Sequence, residues 1–158
     1  MNAFVLLIGL CGAVELPHRV PNGPIHGQCY WACVDSILKT NTSETSISTG
    51  IGLDGAADED IKTMFIAFDI TKIEALTPQG AIKSTRAGKH VIAIMRPWRT
   101  NEECHAIILL DAQTFYTDRR HSYIKITYYD PNFPTENRTM YWSEFVAKFR
   151  RGHILEKK

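Results

Sequence analysis

No charge of one sign dominates this chain. Its 18 Lys and Arg stand against 17 Asp and Glu, a formal net charge of +1. That balance excludes a field strong enough to make nucleic acid or a membrane surface the main partner. The basic residues are scattered, apart from a tail cluster of Lys148, Arg150, Arg151, Lys157 and Lys158 that reads as a solvated face. Cysteine is also sparse, with 4 residues: Cys11, Cys29, Cys33 and Cys104. Their spacing offers no disulfide framework, and a chain of 158 residues does not need one. Zinc lacks half a site, because no second Cys/His pair at ligand spacing accompanies Cys29 and Cys33. No metal or organic cofactor is expected. The apolar run Ala3–Leu10 is too short to span a bilayer. No Lys or Arg precedes it, so it reads as a buried strand rather than the core of a signal peptide. The compartment stays open between the cytoplasm and secretion as an effector or toxin. No internal repeat or low-complexity tract is visible.

What is present suits a globular enzyme-sized domain. Hydrophobic residues make up 44% and charged residues 22%, enough for a sizeable core in a single domain over 1–158. "ELPHRVPNGPIHG" is a loop rich in Pro and Gly. After it, Tyr30, Cys33, Val34, Ile37 and Leu38 recur at three and four, which predicts a helix over "CYWACVDSILKT". "NTSETSISTGIGLDGAAD" reads as a polar loop. "DEDIKTMFIAFDI" reads as a second helix capped by Asp58, with Ile61, Met64, Phe65 and Phe68 in one stripe. "TPQGAIKSTRAGK" reads as a third, with Thr77 as N-cap, Pro78 first and Gly88 past the end.

The period then changes to two. "HVIAIMRP", "CHAIILLDA" and "SYIKITYYD" read as strands. "DPNFPTENR" is a loop and "TMYW" a short strand. "SEFVAKFRR" is a helix capped by Ser143, and "GHILE" a last strand. Helices first and an antiparallel sheet after make an α+β architecture, the N-terminal helices packed on the sheet.

Three residues fall where chemistry can use them. Cys29 starts the first helix, where unpaired N–H groups and the helix dipole favour a thiolate. His105 opens a strand and Asp130 ends the next. A hairpin centred between Thr117 and Asp118 sets His105 opposite Asp130, Ile107 opposite Tyr128 and Leu109 opposite Ile126. A thiol is a weak nucleophile until a base takes its proton, and a carboxylate on the far ring nitrogen orients that base. Each residue also has a plain reading: Cys29 as core packing, His105 as a strand-edge histidine, Asp130 as a turn former before Pro131. Asn132 is a weaker substitute for Asp130. His18, His26, His90, His121 and His153 have no partner that the sequence names. Trp31 and Trp142 read as core or cleft wall. Asn41 and Asn137 begin glycosylation-type triplets, which are common by chance.

The order of these segments resembles the papain-like cysteine peptidase superfamily. "GQCYWAC" is similar to its cysteine helix, "HAIILLDA" to its histidine strand, and "YYDPNFP" to the turn of its third residue. The tail "MYWSEFVAKFRRGHIL" is similar to the double-glycine leader peptidases and their stand-alone relatives. The likeness runs over about residues 16–156, in pattern. It implies a papain-like fold and a cysteine peptidase acting on a peptide or protein substrate through a thioester. In it, Cys29 is the nucleophile, His105 the general base and acid, and Asp130 the orienting residue. The family's oxyanion Gln stands some six residues before its cysteine, but Gly23 occupies that place here. Gln28 or Asn22 is the substitute, unless backbone N–H groups suffice. Gln28 lies five before Cys33, which makes Cys33 a rival nucleophile. "GQC" before an aromatic also resembles the transglutaminase motif, so a glutamine deamidase or transglutaminase is the alternative on the same triad. A non-catalytic peptide-binding module of the same fold is the third reading.

Overall fold

A computed structural model of the chain describes residues 13–23, 28–52, 55–96, 104–117 and 121–157, the side chains of 73–75 excepted. Cys11, His26 and the apolar run Ala3–Leu10 lie outside the described residues. The fold is mixed α+β. Among the described residues, five helices accompany one six-stranded antiparallel sheet in the order β1-β6-β2-β3-β4-β5. The strands are β1 (Ile70–Leu76), β2 (Val91–Met95), β3 (His105–Tyr116), β4 (Ser122–Tyr129), β5 (Asn137–Tyr141) and β6 (Phe149–Lys157). The helices are α1 (Cys29–Leu38), α2 (Thr42–Thr49), α3 (Asp58–Ala67), α4 (Pro78–Arg86) and α5 (Trp142–Lys148). Among the described residues, no helix is long and apolar enough to cross a membrane.

Alternation along β2 and β3 divides the core. Ile92, Ile94, Ala106, Ile108 and Leu110 face a cluster shared with α1 and α3. Val91, Ala93, Met95, Ile107 and Leu109 face a second cluster shared with α4 and α5. The helices therefore cover both faces of the sheet, where the sequence order had suggested N-terminal helices on one. Strand β1, unforeseen in the sequence, lies between α3 and α4 in the chain and takes the sheet edge beside β6. Its alternation is broken by a register shift between Ile73 and Leu76, which hides its period. The expected helix through Ile70 stops at Ala67. Asp69 then turns the chain in the left-handed region (φ 54), which Asp tolerates better than most residues.

Helix α1 is buried all round, from Cys29 to Ile37, with Trp31, Cys33 and Val34 at 0% exposure. What covers it is α2, where a loop had been expected. Helix α2 is polar (TSETSIST), and its N-cap Asn41 makes no side-chain cap. The cap comes instead from α1. Asp35 accepts from the N–H of Thr42 (2.7 Å) and of Ser43 (2.9 Å), and from the hydroxyls of Thr40 (2.7 Å) and Thr42 (2.6 Å). A carboxylate there satisfies orphan donors and faces the positive helix end. Asp35→Ala is expected to cost about 2–3 kcal/mol in urea unfolding, since it leaves several buried donors unpaired. A loss below about 0.5 kcal/mol would mean α2 is held by other contacts.

Smaller boundaries move too. In α3, Ala57 is the N-cap position in place of Asp58, and Asp60 accepts from the Ala57 N–H at 3.2 Å. In α4, Thr77 caps by accepting from the Gly80 N–H at 3.1 Å, as its sequence signals. Strand β5 begins at Asn137, α5 at Trp142 with Tyr141 as N-cap in place of Ser143, and β6 at Phe149.

The β3–β4 register differs from the symmetric hairpin. Tyr116 pairs with Ser122, Ala112 with Ile126, Leu109 with Tyr128, and Ile108 with Tyr129. One residue is added on β3 between Leu109 and Asp111. The carbonyl of this extra residue, Leu110, accepts from the Val14 N–H at 2.7 Å. Against the expected pairing, Leu109 moves by two positions on β4. At Ile108 and Leu109 that shift of two keeps the side chains on their expected face, whereas from Asp111 onward the shift is three. Ile107, Leu109, Ile126 and Tyr128 do share one cluster.

Candidate active site

Three elements converge at one end of the sheet. Cys29 is the first residue of α1, His105 the first of β3, and Asp130 the residue after β4. The segment before α1 ties them together. The Val20 N–H donates to Ser36 Oγ on α1 (2.9 Å), and the Tyr129 hydroxyl donates to the Val20 carbonyl (2.7 Å). The Asn22 N–H donates to the Pro131 carbonyl (2.8 Å). The nucleophile helix and the Asp130 turn are thus bound to the same few residues.

Asp130 is held by its own turn. Its Oδ1 accepts from the Asn132 N–H at 2.9 Å and its carbonyl from the Phe133 N–H at 2.8 Å. The same Oδ1 meets His105 Nε2 at 2.7 Å, the two side chains being 8% and 28% exposed. A carboxylate only accepts, so His105 Nε2 carries the proton. Nδ1 is the nitrogen left for Cys29, which lies near enough for the His105 ring and charge to act on its thiol. Asp130 therefore sets the tautomer in which His105 can take a thiol proton.

The electrostatics follow from these contacts. Burial pushes the Cys29 thiol up. The hydrogen bond and charge of His105, with the backbone N–H groups of Ala106 and Tyr30, outweigh burial, and the net shift is down. Helix α1 has no acidic residue in its first turn and no side-chain cap at Gln28, which leaves that helix end favourable to a thiolate. Burial alone would lower His105. Its hydrogen bonds to Asp130 and Cys29, and their charges, instead raise it to about 9. Asp130 is pushed up by burial, but His105 and the Asn132 N–H bring it net below the usual carboxylate value. Asp130→Asn removes the charge that holds His105 up. Its ring, followed by NMR through a pH titration, is expected to fall by more than about one unit. An unchanged titration near 9 would assign the shift to Cys29 alone.

The rival thiol is placed differently. Cys33 is 0% exposed within the core cluster, and burial, then the charges of Cys29 and Asp130, push it well above the ordinary thiol value. Such a thiol packs and does not ionise.

The two amides proposed from sequence point elsewhere. Gln28 is 0% exposed, its Nε2 donating to Ser46 Oγ on α2 at 3.3 Å. Its Oε1 is buried with no hydrogen-bond partner among the described residues. Burial under α2 keeps a substrate away from this side chain. Asn22 Nδ2 donates to Asn132 Oδ1 at 2.8 Å, so Asn22 braces the Asp130 turn. Asn132 supports Asp130 through its backbone and does not replace it.

Other residues gain partners that the sequence does not name. His153, 1% exposed, meets the Tyr30 hydroxyl through Nδ1 at 2.7 Å. His90 Nε2 lies 2.9 Å from the Glu15 carbonyl. Trp31 is core, and Trp142 packs against Phe145 with ring centroids 5.9 Å apart. Asn137 Oδ1 accepts from Arg19 at 2.5 Å. The sequence reading also missed Arg150, whose Nη1 lies 3.0 Å from Cys104 Sγ, beside His105. Among the described residues, no group of three or more His, Cys, Asp or Glu is placed to hold a metal ion. No protein-family model matches the chain, and no curated protein matches it.

Proposed function

We propose that this chain is a papain-like cysteine hydrolase that cleaves amide bonds of a peptide or protein. The observation that carries the reading is the convergence of Cys29, His105 and Asp130 from a helix start, a strand start and a turn, with His105 hydrogen-bonded to Asp130 and its ring acting on the Cys29 thiol. The Cys29 thiolate attacks the carbonyl carbon, and first-turn backbone N–H groups of α1 receive the developing oxyanion. As the C–N bond breaks, the His105 imidazolium gives its proton to the leaving amine, and a thioester remains on Cys29. His105 then takes a proton from water. The hydroxide attacks the thioester, releasing a carboxylic acid and restoring the thiolate–imidazolium pair. Asp130 stays ionised and holds the ring.

The products test this. A peptide mixture incubated with the protein is assayed for new amino termini and for ammonia. New termini that are absent with Cys29→Ala support the peptidase. Ammonia without new termini replaces it with a glutamine deamidase or transglutaminase, which uses the same three residues. Peptide binding with neither product, and an ordinary thiol, replaces it with a binding module.

A further inference from the structure

Strand β6 carries an irregularity beside the site. Ile94 pairs with Arg151, but the next residue, Met95, pairs with Phe149. Arg150 is the extra residue between them. Across β2, Met95 also pairs with His105. A bulge re-aims its side chain, and here the Arg150 guanidinium is set against Cys104 Sγ at 3.0 Å. Cys104 immediately precedes His105 and packs against the same core cluster as Cys29. The bulge thus delivers a cation to the rim of the candidate site.

This cation differs from its neighbours. Arg151 is paired with Asp58 at 2.7 Å and Lys148 with Glu144 at 2.8 Å. Among the described residues, no carboxylate lies within ion-pair distance of Arg150, although the charge of Asp58 acts on it, and its side chain is exposed. A guanidinium has five N–H donors in a fork that matches a carboxylate. One meets the Cys104 sulfur, and among the described residues no other hydrogen-bond partner holds the rest. Consecutive Cα atoms are about 3.8 Å apart and an extended peptide advances about 3.3–3.6 Å per residue. The guanidinium lies against the residue that precedes His105, so it is placed to meet a substrate side chain near the scissile amide.

We infer that Arg150 is a specificity-determining residue, bulged out of β6 to receive a carboxylate on the substrate within about two residues of the scissile amide. The inference rests on the peptidase reading and adds a substrate class: peptides with Asp or Glu beside the cleaved bond.

The probes are acetyl-X-Gly and acetyl-Gly-X chloromethyl ketones, with X as Asp, Asn or Lys. Each is reacted with the whole chain, and modification of Cys29 is followed by peptide mass mapping. In one of the two series the Asp probe is expected to modify Cys29 about three- to tenfold faster than the Lys probe. Arg150→Gln brings that ratio to about one, and Arg150→Glu inverts it. Inversion is a charge effect that a purely structural role for Arg150 does not produce. A wild-type ratio near one in both series overturns the inference and leaves the peptidase reading standing, provided Cys29 still reacts faster than free cysteine. A ratio unaffected by Arg150→Glu overturns it in the same way. Cys29 inert to every probe overturns both.

Discussion

Cys29→Ala is expected to lose turnover by roughly 10⁴-fold or more, with the fold retained, whereas Cys33→Ala keeps activity. The two thiols lie on the same helix, four residues apart, and their surroundings decide between them. Cys29 touches His105 and two backbone N–H groups, which together hold its thiol down. Cys33 is surrounded by core and held up by burial first. Removing the Cys29 sulfur deletes the nucleophile and empties little of the core. Removing the Cys33 sulfur leaves a small void, with a cost of about 1–2 kcal/mol in urea unfolding. Turnover of any cleaved peptide, with circular dichroism as the fold control, reads both variants. An active Cys29→Ala protein would remove the mechanism. An active Cys29→Ala protein beside an inactive Cys33→Ala protein would transfer it to Cys33.

His105→Ala carries the second large effect. Two of the groups lowering the Cys29 thiol are the hydrogen bond and charge of His105, while burial raises it. Without the ring, burial has only the backbone N–H groups against it, and the thiol moves up. Less of the thiol is then ionised at pH 7, so alkylation there is expected to fall severalfold or more. A conventional surface thiol, which a neighbouring histidine barely touches, shows no such fall. The same pair fixes the pH dependence of turnover. Activity rises through the lowered Cys29 value as the thiolate forms. It falls as His105 loses its proton near about 9, because the leaving amine then has no acid.

The convergence of Cys29, His105 and Asp130 was legible because each sits at an element boundary that the sequence marks. Pro and Gly before Cys29, the period change before His105 and the Asp-Pro step after β4 locate those ends. The register was not legible. The extra residue between Leu109 and Asp111 lies within an apolar run and leaves no signature, but the two-position error at Ile108 and Leu109 preserved the face there. The surroundings of Gln28 and Asn22 were hidden for a different reason. Gln28 is buried by α2, and α2 exists largely because Asp35, seven residues before Thr42, caps it from another helix. A weak local signal was present, since Glu44 follows Asn41 by three and Gly50 closes the helix with φ 75. Arg150 was hidden in what looked like a solvated basic tail. Only pairing shows that it bulges toward Cys104.

The most direct test of the thiolate–imidazolium pair is the rate of iodoacetamide alkylation between about pH 4 and 10, with the modified cysteine located by peptide mass mapping. The account predicts fast labelling of Cys29 with an acidic limb well below the ordinary thiol range, lost in His105→Ala, and Cys33 silent until unfolding. Labelling of Cys29 with the profile of a free thiol, or only after unfolding, would contradict it.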